Sequence, residues 1–307
     1  MRAVFILSLL FLAGSLSAQT LVERLGYKKT DRLLIINNDD AGMCHAANTA
    51  TVAGMENGLI SSSTIMMPCP WSNEIIKYAK ENPDRGFGVH LTLTSEWKNY
   101  RWGTTASRNE VPGLYDGQGY MWREVMEVYK ASNTEEALIE GRAQIQKALA
   151  AGVPVTHIDS HMGTYQYSPD YMNIYLQLAE EFDLPARMPS QSTLDNMGAP
   201  PFRDICKKKG IIHPDYFIHE EMQDYKTENL EEFWISYIKN VKPGVTEIFI
   251  HASSEGDEIR AITGSASKRI KELEFFTGDQ FRKLIEEEGI IIISYRPLFE
   301  LQRKGRQ

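Results

Sequence analysis

A chain of 307 residues, 42% hydrophobic and 24% charged, has the composition of ordinary globular material and can bury a sizeable core as one large domain or two. Its net charge of -8 and pI near 5.5 argue against nucleic acid or an anionic membrane surface as the main partner, because both repel a net acidic protein. Cys44, Cys69 and Cys206 are too few and too scattered for a disulfide framework or a cysteine-based zinc site.

Taken in chain order, the first residues read as an address. Arg2 precedes an apolar run from Ala3 to Gly14, and the small residues Ser15, Ser17 and Ala18 follow, which is the layout of a secretory signal peptide cleaved after Ala18. The run is too short to span a membrane comfortably, so the expected mature chain, 19–307, is secreted or periplasmic, with no stable membrane insertion. An exported location permits an oxidised Cys44–Cys69 pair, though nothing in the sequence requires one.

Leu33 to Ile36 form a β-branched apolar run of the kind buried on both faces of a parallel sheet, and it ends abruptly in Asn37-Asn38-Asp39-Asp40-Ala41-Gly42. A helix is expected from His45 to Asn57, stopping at Gly58. A strand within Leu59–Met67, a helix over 72–81 and a strand over Phe87–Thr94 follow. Helical patterns over 133–151, 169–182, 230–241 and 279–288 are each followed by a short apolar run: Val155–Ile158, Pro185–Met188, Glu247–Ile250 and Ile290–Ile293. Repeated helix-then-strand order predicts parallel βα units in one domain, interrupted by a long irregular insertion at about 95–123. Lys207-Lys208-Lys209 reads as a solvated helix end.

Several apolar runs end in chemistry. Alternation in Gly88-Val-His90-Leu-Thr92-Leu-Thr94 puts His90, Thr92 and Thr94 on one polar face, and His157-Ile-Asp-Ser-His161 concentrates two imidazoles and a carboxylate at a strand exit. Imidazole and carboxylate together suit zinc and similar ions, and two His with one Asp leave coordination positions open for water and substrate. Asp39 and Asp40 are adjacent, so both can serve one site only if the strand has already bent into the turn at Ala41-Gly42.

These motifs, Asn-Asn-Asp39-Asp40-Ala-Gly, Gly-Val-His90-Leu-Thr-Leu-Thr, Thr-His157-Ile-Asp-Ser-His161 and Ala-Arg187-Met-Pro, resemble in order those of the YdjC family, also called ChbG/HpnK carbohydrate deacetylases. The resemblance implies a deformed (β/α) barrel similar to a TIM barrel, with mostly parallel strands, that removes acetyl groups from N-acetylated sugars or oligosaccharides with one divalent metal. Residue by residue, it puts Asp40, His90 and His161 on the metal, Asp39 in the role of catalytic base, Arg187 beside that base, and His251 as general acid. The roles of Asp39 and Asp40 could be exchanged, and His157 is expected to support the site by hydrogen bonding. Zinc is the expected ion and magnesium the alternative, since hard magnesium matches two imidazoles poorly. Departing from the family, Met162-Gly163-Thr164-Tyr165 follows His161 where further histidines are usual, which puts the sugar in question. A homodimer is the oligomer considered.

Aromatic residues crowd the insertion (Trp97, Tyr100, Trp102, Tyr115, Tyr120, Trp122), and Tyr165 and Tyr167 follow the histidine motif; a minority are expected to touch sugar and the rest to pack the loop. Two other functions compete with deacetylation. A glycan-binding protein on an inactive scaffold is disfavoured by the complete Asp, His and Arg set, and a non-haem iron oxygenase by the helix-strand alternation.

Overall fold

The computed structural model describes residues 19–57, 59–218, 222 and 225–305; the leader expected over 1–18 and Gly58 lie outside them. Among the described residues, seven strands form one parallel sheet: β1 (Arg32–Ala41), β2 (Ser62–Ile65), β3 (Gly86–Leu91), β4 (Val155–Ser160), β5 (Tyr216–Phe217), β6 (Gly244–Ile250) and β7 (Ile291–Ile292). Their order is β4-β3-β2-β1-β6-β5, with β7 against the start of β1. Helices cover the outside, and the sheet curls into a deformed (β/α) barrel. The expected helices are present as His45–Glu56, Ser72–Glu81, Thr134–Ala150, Pro169–Glu181, Leu230–Lys239 and Asp279–Glu287. None of the described helices is long and apolar enough to cross a membrane.

Period-two alternation sorts β1 into two layers. Leu34 and Ile36 join the main core under the helices, while Leu33 and Ile35 face inward and are closed over by Val22, Val245, Tyr295 and Leu298. Above that apolar floor the inward positions turn polar, at Asn37 and Asp39 of β1, Thr64 of β2, His90 of β3, His157 and Asp159 of β4, and Glu247 of β6, all buried. The interior is therefore graded from an apolar base to a charged rim at the carboxyl ends of the strands, where parallel α/β folds build their sites.

The sequence suggests that β1 bends at Ala41-Gly42, but the strand runs through both aspartates to Ala41. The bend comes one residue earlier, inside the strand. Pairing with β2 slips between Asn38 and Ala41, and Asp40 takes a left-handed backbone with φ 65°. That bulge returns Asp40 to the interior beside Asp39. Pro185–Met188 contributes only a single bridge, Ala186 to Ile158 of β4, in place of a full strand. All three cysteines are free and buried, Cys44 and Cys69 within one apolar cluster.

The 95–123 insertion is pinned at its centre. Buried Glu140 accepts hydrogen bonds from the Thr105 and Ala106 backbone N–H groups, both at 2.8 Å, and from Gln144 at 2.7 Å. Trp97, Trp102 and Met121 pack with Met43, Met66 and Cys69. Most aromatics of the insertion thus hold the loop on the barrel.

Candidate active site

A cavity of about 380 Å³ at the strand exits is lined by Asp39, Asp40, His90, His161, Arg187 and His251, which brings all six candidate residues together. Glu96 and Arg269 also line it, and neither was singled out by the sequence.

Oxygen and nitrogen atoms of Asp40, His90 and His161 lie within 4.8 Å of one another, all three residues buried. His90 Nδ1 donates to Asp159 Oδ1 at 2.6 Å, which turns the Nε2 lone pair inward. His161 Nε2 faces Glu96 Oε2 at 3.0 Å, which turns its Nδ1 inward in the same way, 3.3 Å from His90 Nε2. Asp40 Oδ1 lies 3.4 Å from His90 Nε2 and 3.3 Å from His161 Nδ1, and Arg269 Nη1 comes within 2.8 Å of Oδ2. None of these contacts is aligned as a hydrogen bond, so both Asp40 oxygens are buried without one. Two lone pairs and an under-satisfied carboxylate converging on one point fit a cation.

The electrostatics agree. Burial alone would favour neutral imidazoles, yet Asp159 and Asp40 raise His90 to about 10, and Glu96 and Asp40 raise His161 to about 9. The surrounding carboxylates thus call for positive charge at this point. Asp40 itself is held well below the usual carboxylate range: burial opposes ionisation, and Arg269 with the two histidines overrides it.

Asp39 is held differently. Arg187 grips it with two parallel bonds, Nη1 to Oδ2 at 2.7 Å and Nη2 to Oδ1 at 2.8 Å, and Asn37 Nδ2 donates to Oδ1 at 2.8 Å. Burial would raise its pKa, but Arg187 brings it down to about 2, so Asp39 is ionised at neutral pH. Arg187 is fixed in turn by Glu247 Oε1 at 2.8 Å and Asp159 Oδ2 at 3.0 Å. Asp159 therefore touches both halves of the site, orienting His90 with one oxygen and Arg187 with the other. His251 stands partly exposed on the cavity wall, where desolvation pushes it down to about 4, so its ring is neutral near pH 7.

His157 points inward one layer below. Its Nε2 lies 3.2 Å from Asn37 Oδ1 and its Nδ1 2.9 Å from Thr156 Oγ1, while its ring stacks on Tyr295 at 3.7 Å and 5°. Asn37 uses its amide nitrogen on Asp39, so its oxygen accepts from His157 Nε2–H; no ring lone pair is left to point at Asp40. His157→Gln is expected to keep the ion at wild-type stoichiometry and to slow turnover by a few-fold, since glutamine can still donate to Asn37. Elemental analysis alongside kcat checks this, and loss of the ion would move His157 into the ligand set.

Of the aromatic residues noted in the sequence, Tyr167 lines the cavity, 46% exposed, while Tyr165 is fully buried and donates to the Ala137 carbonyl.

Residues 33–287 match the family described as YdjC-like protein. A carbohydrate deacetylase of Thermoanaerobacter pseudethanolicus is 29% identical over 265 residues, covering 86% of this chain and 98% of that protein. One from Thermus thermophilus is 35% identical over 182 residues, 59% of this chain and 61% of that protein. The crystal structure of a candidate cellobiose-phosphate cleavage protein from Enterococcus faecalis V583 superimposes with a TM-score of 0.76 at 28% identity, covering 87% of this chain and 99% of that one. Since the matched stretch begins in β1 and ends in helix Asp279–Glu287, enclosing every residue of the cavity described above, the chain belongs to the YdjC-like protein family.

Proposed function

We propose that this protein is an exported, metal-dependent carbohydrate deacetylase, which hydrolyses the acetamide of N-acetylated sugars or oligosaccharides. The relatives named carbohydrate deacetylase support the sugar and the reaction. The observation that carries the mechanism is the meeting of the Asp40, His90 and His161 donors with the Asp39–Arg187 pair in one cavity. Zinc suits two imidazole nitrogens and a carboxylate better than magnesium does. A divalent ion held there supplies Lewis acidity, which activates water and polarises an amide carbonyl that is otherwise a poor electrophile.

The chain's own groups would do the rest. Asp39, ionised and fixed by Arg187, accepts a proton from the attacking water. Arg187 keeps that carboxylate aimed and charged. His251 delivers a proton to the departing amine; neutral in the free protein, it has to gain that proton during the cycle, and the proton that Asp39 takes from water and then releases balances the one delivered to the amine. The amide C–N bond breaks as the new C–O bond forms, leaving acetate and a free amino sugar. Arg269, beside Asp40 and on the cavity wall, adds positive charge to the cavity in which the oxyanion would form.

Export rests on Arg2, the apolar run after it and the small residues up to Ala18. Amino-terminal sequencing of the protein recovered from the periplasm or medium tests it. Acetate release from a panel of N-acetylated sugars, with and without a chelator, tests the reaction. Release that survives chelation would reject the metal, and no release from any sugar would favour a glycan binder.

A further inference from the structure

The 95–123 insertion meets the reaction site at three points. Glu96 accepts from His161 Nε2–H at 3.0 Å, and the rings of Trp97 and Trp102 stand 6.4 Å and 6.5 Å from the His161 ring. The guanidinium of Arg269, beside Asp40, lies 5.8 Å from the Trp97 ring. Tyr100 donates its hydroxyl to the Met43 carbonyl, and Met43 N–H donates to the Asp40 carbonyl at 3.0 Å. One irregular segment therefore contacts a candidate ligand, the cation beside another, and the turn that follows Asp40.

The two imidazoles of the site are oriented by unequal means. Asp159, the partner of His90, belongs to β4 and is fixed by the sheet. Glu96 is fixed by the far end of its own insertion. Ser95 N–H donates to the Trp122 carbonyl at 2.7 Å, and Arg123 Nη1 donates to the Glu96 and Trp97 carbonyls at 3.1 Å and 2.9 Å. Ser95 Oγ also accepts from Trp102 N–H at 3.0 Å. These bonds bring the two ends of the insertion together at Glu96, so its carboxylate reaches His161 only while the insertion is closed. Segments held by a few such bonds open at a lower free energy than the sheet does. Any ion that needs His161 oriented therefore favours the closed form, and by linkage the closed form favours the ion by the same factor.

We propose that the insertion is a working part of the metal centre: its closure through Arg123 places Glu96 on His161, and a divalent ion at Asp40, His90 and His161 in turn holds the insertion shut. Glu96 is then a positioning residue for a ligand, and Arg123 acts one step further out. This rests on the ligand set given above and is independent of the sugar and of the reaction.

The probe is zinc, and its affinity for the chelated protein is measured by competition with a chelating dye. Glu96→Ala is expected to weaken it by about 10–100-fold, the usual cost of removing the hydrogen-bond partner of a ligating histidine, while Glu96→Gln, whose amide oxygen still accepts from Nε2–H, keeps most of it. Arg123 lies outside the cavity lining, yet Arg123→Ala should weaken zinc several-fold, and Arg123→Lys, still able to donate to one of the two carbonyls, should recover part of the loss. The second readout is trypsin cleavage after Lys98, Arg101 or Arg108. Zinc should slow it several-fold in the wild type and leave it unchanged in Glu96→Ala, where the link is cut. If Glu96→Ala fails to fold, the two Arg123 variants carry the test. Unchanged zinc affinity in both Glu96→Ala and Arg123→Ala overturns the proposal, as does cleavage of the wild-type insertion that zinc does not slow. A wild type that takes up no zinc rejects the ligand set and the coupling together, whereas normal uptake with indifferent variants rejects the coupling alone.

Discussion

His90→Ala and His161→Ala, each purified without added metal, are expected to lose the divalent ion and to fall in acetate release by about a thousandfold or more. Lewis-acid stabilisation is worth several kcal/mol, and every 1.36 kcal/mol is about a factor of ten in rate. The loss should be sharp because each imidazole is held toward the ion by its own carboxylate partner, His90 by Asp159 and His161 by Glu96, so truncation removes an already oriented ligand. Elemental analysis gives the stoichiometry, and a melting curve separates loss of metal from loss of fold. Reloading the chelated wild-type protein with zinc or with magnesium then decides the ion. If both variants keep metal at the wild-type level, the ligand set proposed here is wrong.

Asp39→Asn should retain metal and fold while turnover falls by about a hundredfold to ten-thousandfold, the usual contribution of a general base. The amide keeps the size of the carboxylate but cannot accept the proton, and it returns only part of the bidentate pair with Arg187. Asp40→Asn should lose metal as well as activity. The arrangement also exposes a rival. Asp39 is a weak base at a pKa of about 2, whereas His251 is neutral on the same cavity wall. If Asp39→Asn costs only a few-fold while His251→Ala costs a hundredfold or more on an N-acetyl sugar and on an activated aryl acetate alike, the imidazole is the base. Selective harm to the N-acetyl sugar by His251→Ala, with a large loss in Asp39→Asn, sustains the roles given above.

The helix-strand alternation made the barrel legible because long amphipathic helices and β-branched runs carry strong periodic signals. Helix Ser72–Glu81 has the limits expected from the sequence, while Gln191–Asn196, Asp257–Ile262 and the two-residue β5 are too short to carry a period. Alternation also put His90 on a polar inner face. The same rule applied to β4 places His157, Asp159 and His161 on one side, and that signal identifies Asp159 as a partner of the site. Glu96 is different. It lies in an irregular segment without periodicity, and its position depends on contacts far along the chain, such as the clamp of Glu140 on residues 105 and 106. Arg269 sits within helix Ala266–Thr277 among other charged residues, and nothing local distinguishes the one that reaches the interior. Asn and Asp after an apolar run read as a turn, but pairing of β1 with β6 as far as Asn38 and with β2 at Ala41 holds the segment in the sheet.

The bulge in β1 narrows the choice of amino acid at position 40 to one. A backbone at φ 65° is readily adopted by glycine, asparagine and aspartate and resisted by most other side chains. A cation between two imidazoles asks for a carboxylate, which leaves aspartate or glutamate. Only aspartate belongs to both sets. Any search for altered metal preference that keeps this backbone therefore has no conservative substitution to explore there, and Asp40→Glu would trade a strained main chain for a longer reach. Deleting a residue between Asn38 and Ala41 is equally unforgiving, because it would restore regular pleating and turn the carboxylate toward the helices.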